Sequence, residues 1–283
     1  MKRVLTAMVL IPLVLLLIFW GYFFPRFEAQ AGLLITVATA IIAELAAWEY
    51  LTLADATGAK MPRILVLGAI AVLFMVAFRN PDLLGPVVGG LSLLILIVCA
   101  FSSPLPRVLP DAACSVFGLI YIGLSLTTIP LLSAQENGAS LLVFLLFVVW
   151  AGDVAALYVG RPWGRRKLAP GISPNKTWEG SIASVVGSVL VTVLLIFLAG
   201  VAARRNLTIL SYPGSALHWL LLAVLLNVAA QVGDLVESAI KRCAGAKDSG
   251  TLLPGHGGVL DRIDALLLAA PVLWYAQLAQ QSF

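Results

Sequence analysis

Residues 180–203, GSIASVVGSVLVTVLLIFLAGVAA, run for 24 positions without a charge. A helix needs about 20 apolar residues to cross a hydrocarbon core of about 30 Å. The stretch is therefore read as a membrane span, flanked by Lys176 and Glu179 on one side and by Arg204 and Arg205 on the other. Runs with few or no charges also lie at 4–25, 31–53, 64–78, 83–101, 112–132, 139–160, 216–238 and 262–279, making nine candidate spans. The 283 residues are 61% hydrophobic and 11% charged, with a mean hydropathy of +1.02, whereas a soluble domain carries roughly 25% charged residues. The expected fold is an all-α, polytopic integral membrane protein with about nine transmembrane helices, the run at 64–78 being short and the last being bounded by charges.

The basic residues set the orientation. With the N-terminus in the cytoplasm and sides alternating, the inner tail and loops collect 14 Lys and Arg: Lys2, Arg3, Lys60, Arg63, Arg107, Arg161, Arg165, Arg166, Lys167, Lys176, Lys241, Arg242, Lys247 and Arg262. The outer loops collect four, Arg26, Arg79, Arg204 and Arg205. This bias places the N-terminus inside and the C-terminus outside. It also accounts for the net charge of +4 and the pI near 9.1 without nucleic acid as a partner. Lys2 and Arg3 before an apolar run, with Ala29-Gln30-Ala31 after it, imitate a cleavable signal. The uncharged stretch is 22 residues, longer than the about 7–15 of a signal core, so it reads as a retained first span. Cys99, Cys114 and Cys243 are far apart and form no Cys-x-x-Cys, which indicates neither a disulfide framework nor a zinc site. The domain reading is a single membrane domain, 1–283, in which 1–150 is an N-terminal transmembrane bundle. Residues 151–283 form a catalytic region with cytoplasmic loops at 161–179 and 239–261.

Acids inside spans are costly and need a partner, a wet cavity or a task. Asp153 falls near the end of the sixth run, Asp234 and Glu237 near the end of the eighth, and Asp261 and Asp264 at the start of the ninth, all toward the cytoplasmic side. Asp234 and Glu237 are three apart, as are Asp261 and Asp264, so on helices each pair shares a face. Two such faces together would make a carboxylate cluster suited to Mg²⁺, a hard cation that takes oxygen ligands. The alternative is structural pairing of these acids with Lys241, Arg242 and Arg262.

The loop from Lys241 to Gly258 holds Lys241, Arg242, Lys247 and several glycines, which let backbone N–H groups approach phosphate; it lacks the Gly-Lys-Ser/Thr of a P-loop. The other loop offers Ser173, Asn175, Lys176 and Thr177 just before a span, where a helix N-terminus favours an anion. The plainer readings are a flexible positive-inside loop and a basic segment for anionic lipid heads, anchored by Trp163 and Trp178. Glu44 and Glu49, five apart, read as helix contacts or interface residues, and His218 as an interfacial residue. Asp153 stands between lining a site and pairing structurally.

Ser238-x-x-Lys241-Arg242, then Lys247-Asp248-x-Gly250, then Pro254-x-His256-Gly257-Gly258-x-x-Asp261-Arg262-x-Asp264 resembles the C-terminal motif of the phosphatidate cytidylyltransferases, or CDP-diacylglycerol synthases. Ser173-Pro174-Asn175-Lys176-Thr177-Trp178-Glu179-Gly180 resembles that family's second characteristic segment. The likeness is sharp over 150–264. It implies transfer of the cytidylyl group of CTP to phosphatidic acid, a multi-pass protein of a bacterial-type inner membrane with its site on the cytoplasmic side, and a homodimer. Mg²⁺ is expected, with K⁺ as a possible second, monovalent cation. Asp234, Asp261 and Asp264 are the expected metal ligands, and with Lys247 and Asp248 they form the expected catalytic set. Ser173, Asn175, Lys176, Thr177, Lys241, Arg242, His256, Gly257, Gly258 and Arg262 are the expected substrate-binding residues, His256 as a phosphate donor or loop-fixing group instead of a base. Alternative readings of the same features are a CTP-dependent polyprenol kinase and a cation-coupled transporter.

Overall fold

The computed structural model of the protein describes residues 11–207, 209–252 and 257–281. Helical residues 11–18 and Trp20–Phe23 lead into α1 (Glu28–Ala56), α2 (Arg63–Arg79) and α3 (Leu84–Ser102). A continuous rod follows, made of α4 (Val108–Gly118), a π-helical segment Leu119–Leu124 and α5 (Ser125–Ser133). Next come α6 (Gly138–Trp163), a hairpin of β1 (Lys167–Ala169) and β2 (Ser173–Thr177), then α7 (Trp178–Arg204) and α8 (Ala216–Cys243). The short α9 (Leu260–Ile263) and then α10 (Leu266–Gln281) complete the order.

Among the described residues, seven helical stretches are long and apolar enough to cross a bilayer: Gln30–Ala56, Pro81–Ser102, Leu105–Ser133, Gly138–Trp163, Trp178–Arg204, Ala216–Cys243 and Leu260–Gln280. The run expected at 64–78 is α2, whose 17 residues rise about 25 Å and stop short of a core of about 30 Å. The span expected at 4–25 lies partly outside the described residues. The expected count of nine was approximate, and seven of the nine runs are full-length spans among the described residues.

Lipid, not water, explains the side-chain pattern of α7. Ile182, Val186, Leu190 and Phe197 point outward, whereas Ser184, Ser188 and Thr192 are buried. The buried hydroxyls serve a polar ladder. Asn227 of α8 donates to Ser184 Oγ at 2.9 Å and Ser188 Oγ at 2.8 Å, and Gln231 donates to Asn227 Oδ1 at 2.6 Å. Ser188 in turn donates to the Val148 carbonyl of α6 at 2.7 Å. Small residues permit this approach: a Cβ on Gly187 would lie 2.7 Å from the Ala155 methyl, and one on Gly160 would lie 3.3 Å from Gly180 Cα. Close backbones joined by interhelical polar bonds are how helices associate in lipid. Two apolar clusters fill the remaining interior, one around Leu51, Leu73, Leu119 and Ile122, the other around Phe144, Trp219, Leu226 and Leu273.

One end of the bundle gathers the end of α1, the hairpin, the end of α8 and the start of α9. Glu49 of α1, 6% exposed, ties them. Its Oε1 accepts from Val259 N at 3.0 Å and its Oε2 from Leu260 N at 2.9 Å, while Ser249 Oγ lies 3.0 Å from Oε2. The first N–H groups of a helix have no partner inside it, and Glu49 supplies one from another span. The hairpin meets the same end through an ion pair of Lys176 with Asp234 at 2.5 Å and a bond from Arg242 Nε to the Ile172 carbonyl at 3.3 Å.

Glu49→Gln keeps the shape but turns one acceptor oxygen into a donor facing buried N–H groups. A bond to a charged group contributes about 1.5–3 kcal/mol, and a chain of this size shifts about 2–4 °C per kcal/mol. The unfolding midpoint in detergent should fall by roughly 5–10 °C; an unchanged midpoint contradicts the anchor. For orientation, Gly171→Cys and Glu136→Cys, at opposite ends of the bundle, are placed in a Cys243→Ser background. An impermeant thiol reagent added to spheroplasts should label the cysteine at 136 and spare that at 171, and the reverse pattern overturns the assigned sides.

Candidate active site

Asp234, Glu237, Ser238 and Lys241 follow one another at helical spacing on the last turns of α8, so they share a face. Glu237 is fully buried, and Lys241 bridges it to α9: Nζ lies 2.5 Å from Glu237 Oε2 and 2.6 Å from Asp261 Oδ1. Asp261 Oδ2 accepts from Gly258 N at 2.8 Å and Ser249 N at 2.9 Å. Ser249 Oγ also lies 2.9 Å from it; the one hydroxyl proton serves Glu49 or Asp261 at a time. The glycines of this loop are there for space. A Cβ on Gly250 would meet Glu49 Oε1 at 2.5 Å, one on Gly257 would meet Asp261 Oδ2 at 2.5 Å, and one on Gly258 would collide with Ser249 and Glu49. Gly257 also has φ +78°, a conformation that only glycine adopts at no cost.

Beside this anchored layer lie acids with fewer protein donors. Asp234 has Lys176 on Oδ2 and a long contact from Ser238 Oγ, 3.4 Å, on Oδ1. Asp264 Oδ1 accepts from Ala265 N at 2.8 Å, and the carboxylate is repelled by Asp234 and Asp153. Asp153, on α6, interacts with Asp234 and Lys176. Five carboxyl groups, Asp153, Asp234, Glu237, Asp261 and Asp264, thus gather around two ammonium groups, Lys176 and Lys241. Carboxyl oxygens that outnumber their protein cations fit a divalent Mg²⁺, which is held through one or two carboxylates and keeps several waters. Among the described residues no three of these acids close on one point as a complete protein cage, and a cation with a partial water shell does not require one.

The remaining expected site residues divide between exposed positions and structural bonds. Asn175, Arg242, Lys247, Asp248 and Arg262 are exposed, and Ser173 and Lys176 are half-buried on β2. Thr177 is buried as the N-cap of α7, its Oγ1 accepting from Gly180 N at 3.2 Å. Arg242 also donates to the Ala246 carbonyl at 3.1 Å, so its guanidinium braces both loops. Glu179 accepts from Arg165 N at 3.1 Å and Arg166 N at 3.3 Å, closing the hairpin base. His256 lies outside the described residues. His218 is at the opposite end, its Nε2 2.8 Å from Gln280 Nε2. Glu49 makes helix contacts, but to the site loop some 200 residues away, and no local spacing could have shown that partner.

The whole arrangement falls within a match to the model of the cytidylyltransferase family that covers residues 1–279. The chain is 48% identical over 164 residues to the phosphatidate cytidylyltransferase of Brucella suis, covering 56% of this chain and 54% of that protein. It thus spans about half the length of the Brucella relatives it matches. Longer matches are to the phosphatidate cytidylyltransferases of Staphylococcus saprophyticus, 33% identical over 86% of this chain and 90% of that one, and of Pseudomonas aeruginosa, 33% identical over 97% of both. With a family match that runs nearly end to end and includes both loops of the acidic site, the chain belongs to the cytidylyltransferase family.

Proposed function

We propose that this protein is a phosphatidate cytidylyltransferase, converting CTP and phosphatidic acid to CDP-diacylglycerol and pyrophosphate. The observation that carries the reading is the acid cluster facing Lys176 and Lys241 at one end of a membrane bundle, in a chain similar along its length to the Pseudomonas aeruginosa phosphatidate cytidylyltransferase. A lipid substrate accounts for the fold: one reactant stays in the bilayer while the nucleotide arrives from water.

A phosphate oxygen of phosphatidic acid attacks the α-phosphorus of CTP. A new P–O bond forms as the bond from that phosphorus to the bridging oxygen breaks, and the electron pair leaves with pyrophosphate. A phosphomonoester has a second pKa of about 6, so the nucleophile is largely dianionic near neutral pH and needs no base. Asp234 and Asp264, with Asp261 behind them, would hold Mg²⁺, whose charge offsets that of the triphosphate. The chain's own cations bind and orient. Lys176 sits on the hairpin over the cluster, where it can turn from Asp234 to a phosphate, and Lys247 stands exposed on the other loop with Asp248 beside it. Arg262, Ser173 and Asn175 lie at the same end and suit the lipid phosphate and the nucleotide. Lys241 stays between Glu237 and Asp261 and keeps two acids from repelling each other. Placement in a bacterial inner membrane with the site toward the cytoplasm, a homodimer and an accessory K⁺ belong to the same reading.

Product analysis tests the reaction. Detergent-purified protein with phosphatidic acid, Mg²⁺ and CTP labelled at the α-phosphorus should yield labelled CDP-lipid and unlabelled pyrophosphate. Label entering lipid only from the γ-position would indicate a kinase and overturn the reading. The acids should separate by their contacts. Asp234→Asn should lose about 100-fold in turnover with little change in unfolding midpoint. Asp261→Asn should lose both turnover and stability, because its carboxylate also holds Lys241, Ser249 and Gly258. Full turnover in either variant at ordinary Mg²⁺ removes that residue from the site.

A further inference from the structure

The π-helical segment Leu119–Leu124 interrupts the rod of α4 and α5, and such turns inside α-helices are frequent at functional sites. Tyr121 lies in it, 5% exposed. Its ring stacks on Phe117 with centroids 5.0 Å apart, and Phe117 lies 5.8 Å from the ring of Tyr50. The two tyrosines differ at their hydroxyls. Tyr50 donates to the Cys114 carbonyl at 2.8 Å. The Tyr121 hydroxyl is buried and has no hydrogen-bond partner among the described residues.

Tyr121 belongs to the same apolar cluster as Ile263 and Leu267, which neighbour Asp264 on the chain, with Val236 and Ile240 from the end of α8 packed against it, so its hydroxyl lies in the field of Asp264, Glu237 and Asp234. Glu237 has the complementary need. Its oxygens are buried without a hydrogen-bond donor, apart from the ion contact of Oε2 with Lys241. A buried polar group left unpaired costs about 1–3 kcal/mol, so a phenol held by an aromatic stack and buried beside the acid cluster calls for a polar partner there.

We propose that Tyr121 is a positioning residue of the acid cluster, its hydroxyl donating through a bridging water to the Asp264 and Glu237 carboxylates and so fixing Asp264 for cation binding. The inference rests on the Mg²⁺ reading given under the proposed function. Groups that orient metal-binding carboxylates typically change metal affinity or activity by about 10–100-fold when removed.

The test compares unmodified protein, Tyr121→Phe and Tyr50→Phe by unfolding midpoint and turnover as Mg²⁺ is varied. Tyr121→Phe deletes only the hydroxyl and keeps the stack. It should raise the half-saturating Mg²⁺ about 10-fold or more in both measurements, with no loss of midpoint in the absence of Mg²⁺. Tyr50→Phe, which breaks a satisfied bond, should lower the midpoint without moving the Mg²⁺ dependence. Identical Mg²⁺ dependence in Tyr121→Phe and unmodified protein overturns the inference and leaves the metal reading standing. A Tyr121→Phe protein that fails to fold also overturns it, since the hydroxyl would then be structural. An unmodified protein whose midpoint and turnover ignore Mg²⁺ overturns the metal reading, and the inference with it.

Discussion

The buried carboxylate of Glu49 is the contact on which the geometry of the site depends. In a bilayer each backbone N–H must be satisfied inside the protein, at a cost of several kcal/mol otherwise. The start of α9 presents two such groups, on Val259 and Leu260, and both point at Glu49. The site loop is thereby fixed to α1, a span from the far end of the chain. Asp261 is held from the same loop by Ser249 and Gly258, and through Lys241 it fixes the position of Glu237 on α8. Asp261 thus spends its lone pairs on structure and Glu237 is tied to Lys241, so Asp153, Asp234 and Asp264 form the layer with fewer protein donors.

The second loop reaches the same place by a different route. Asn227 and Gln231 of α8 bond across to Ser181, Ser184 and Ser188 of α7, fixing the two helices in register. Thr177 caps α7 where the hairpin enters it. Lys176, one residue earlier, is then carried over Asp234. A ladder buried in the membrane therefore positions a cation at its surface, and the close approach of glycines on α6 and α7 makes the ladder possible.

The spans were legible because lipid imposes a one-dimensional rule: an uncharged run long enough to cross must be a helix. The rule weakened at α2, where length alone separates a span from a shorter buried helix. Helical spacing also exposed the pairs Asp234 with Glu237 and Asp261 with Asp264. The partners were less legible. Lys241 reads from its spacing as a structural counter-ion and does pair with Asp261, whereas the pairing of Lys176 with Asp234 joins the hairpin to a helix nearly 60 residues away. Composition could not distinguish a hydroxyl used as a cap, Thr177, from one free for substrate, nor a glycine cradling phosphate from one making room for Glu49. Glu49 and Tyr121 carry no local signal, since both earn their place through contacts with distant segments.

The central claim is that two loops from separate parts of the chain form one nucleotide site. Hydrogen exchange of the detergent-purified protein, with and without CTP and Mg²⁺, tests it most directly. The account predicts slowed exchange in both 167–177 and 244–252 on adding the pair, with 133–140 and 209–213 at the opposite end unchanged. Protection confined to one loop, or appearing at the opposite end, would contradict it.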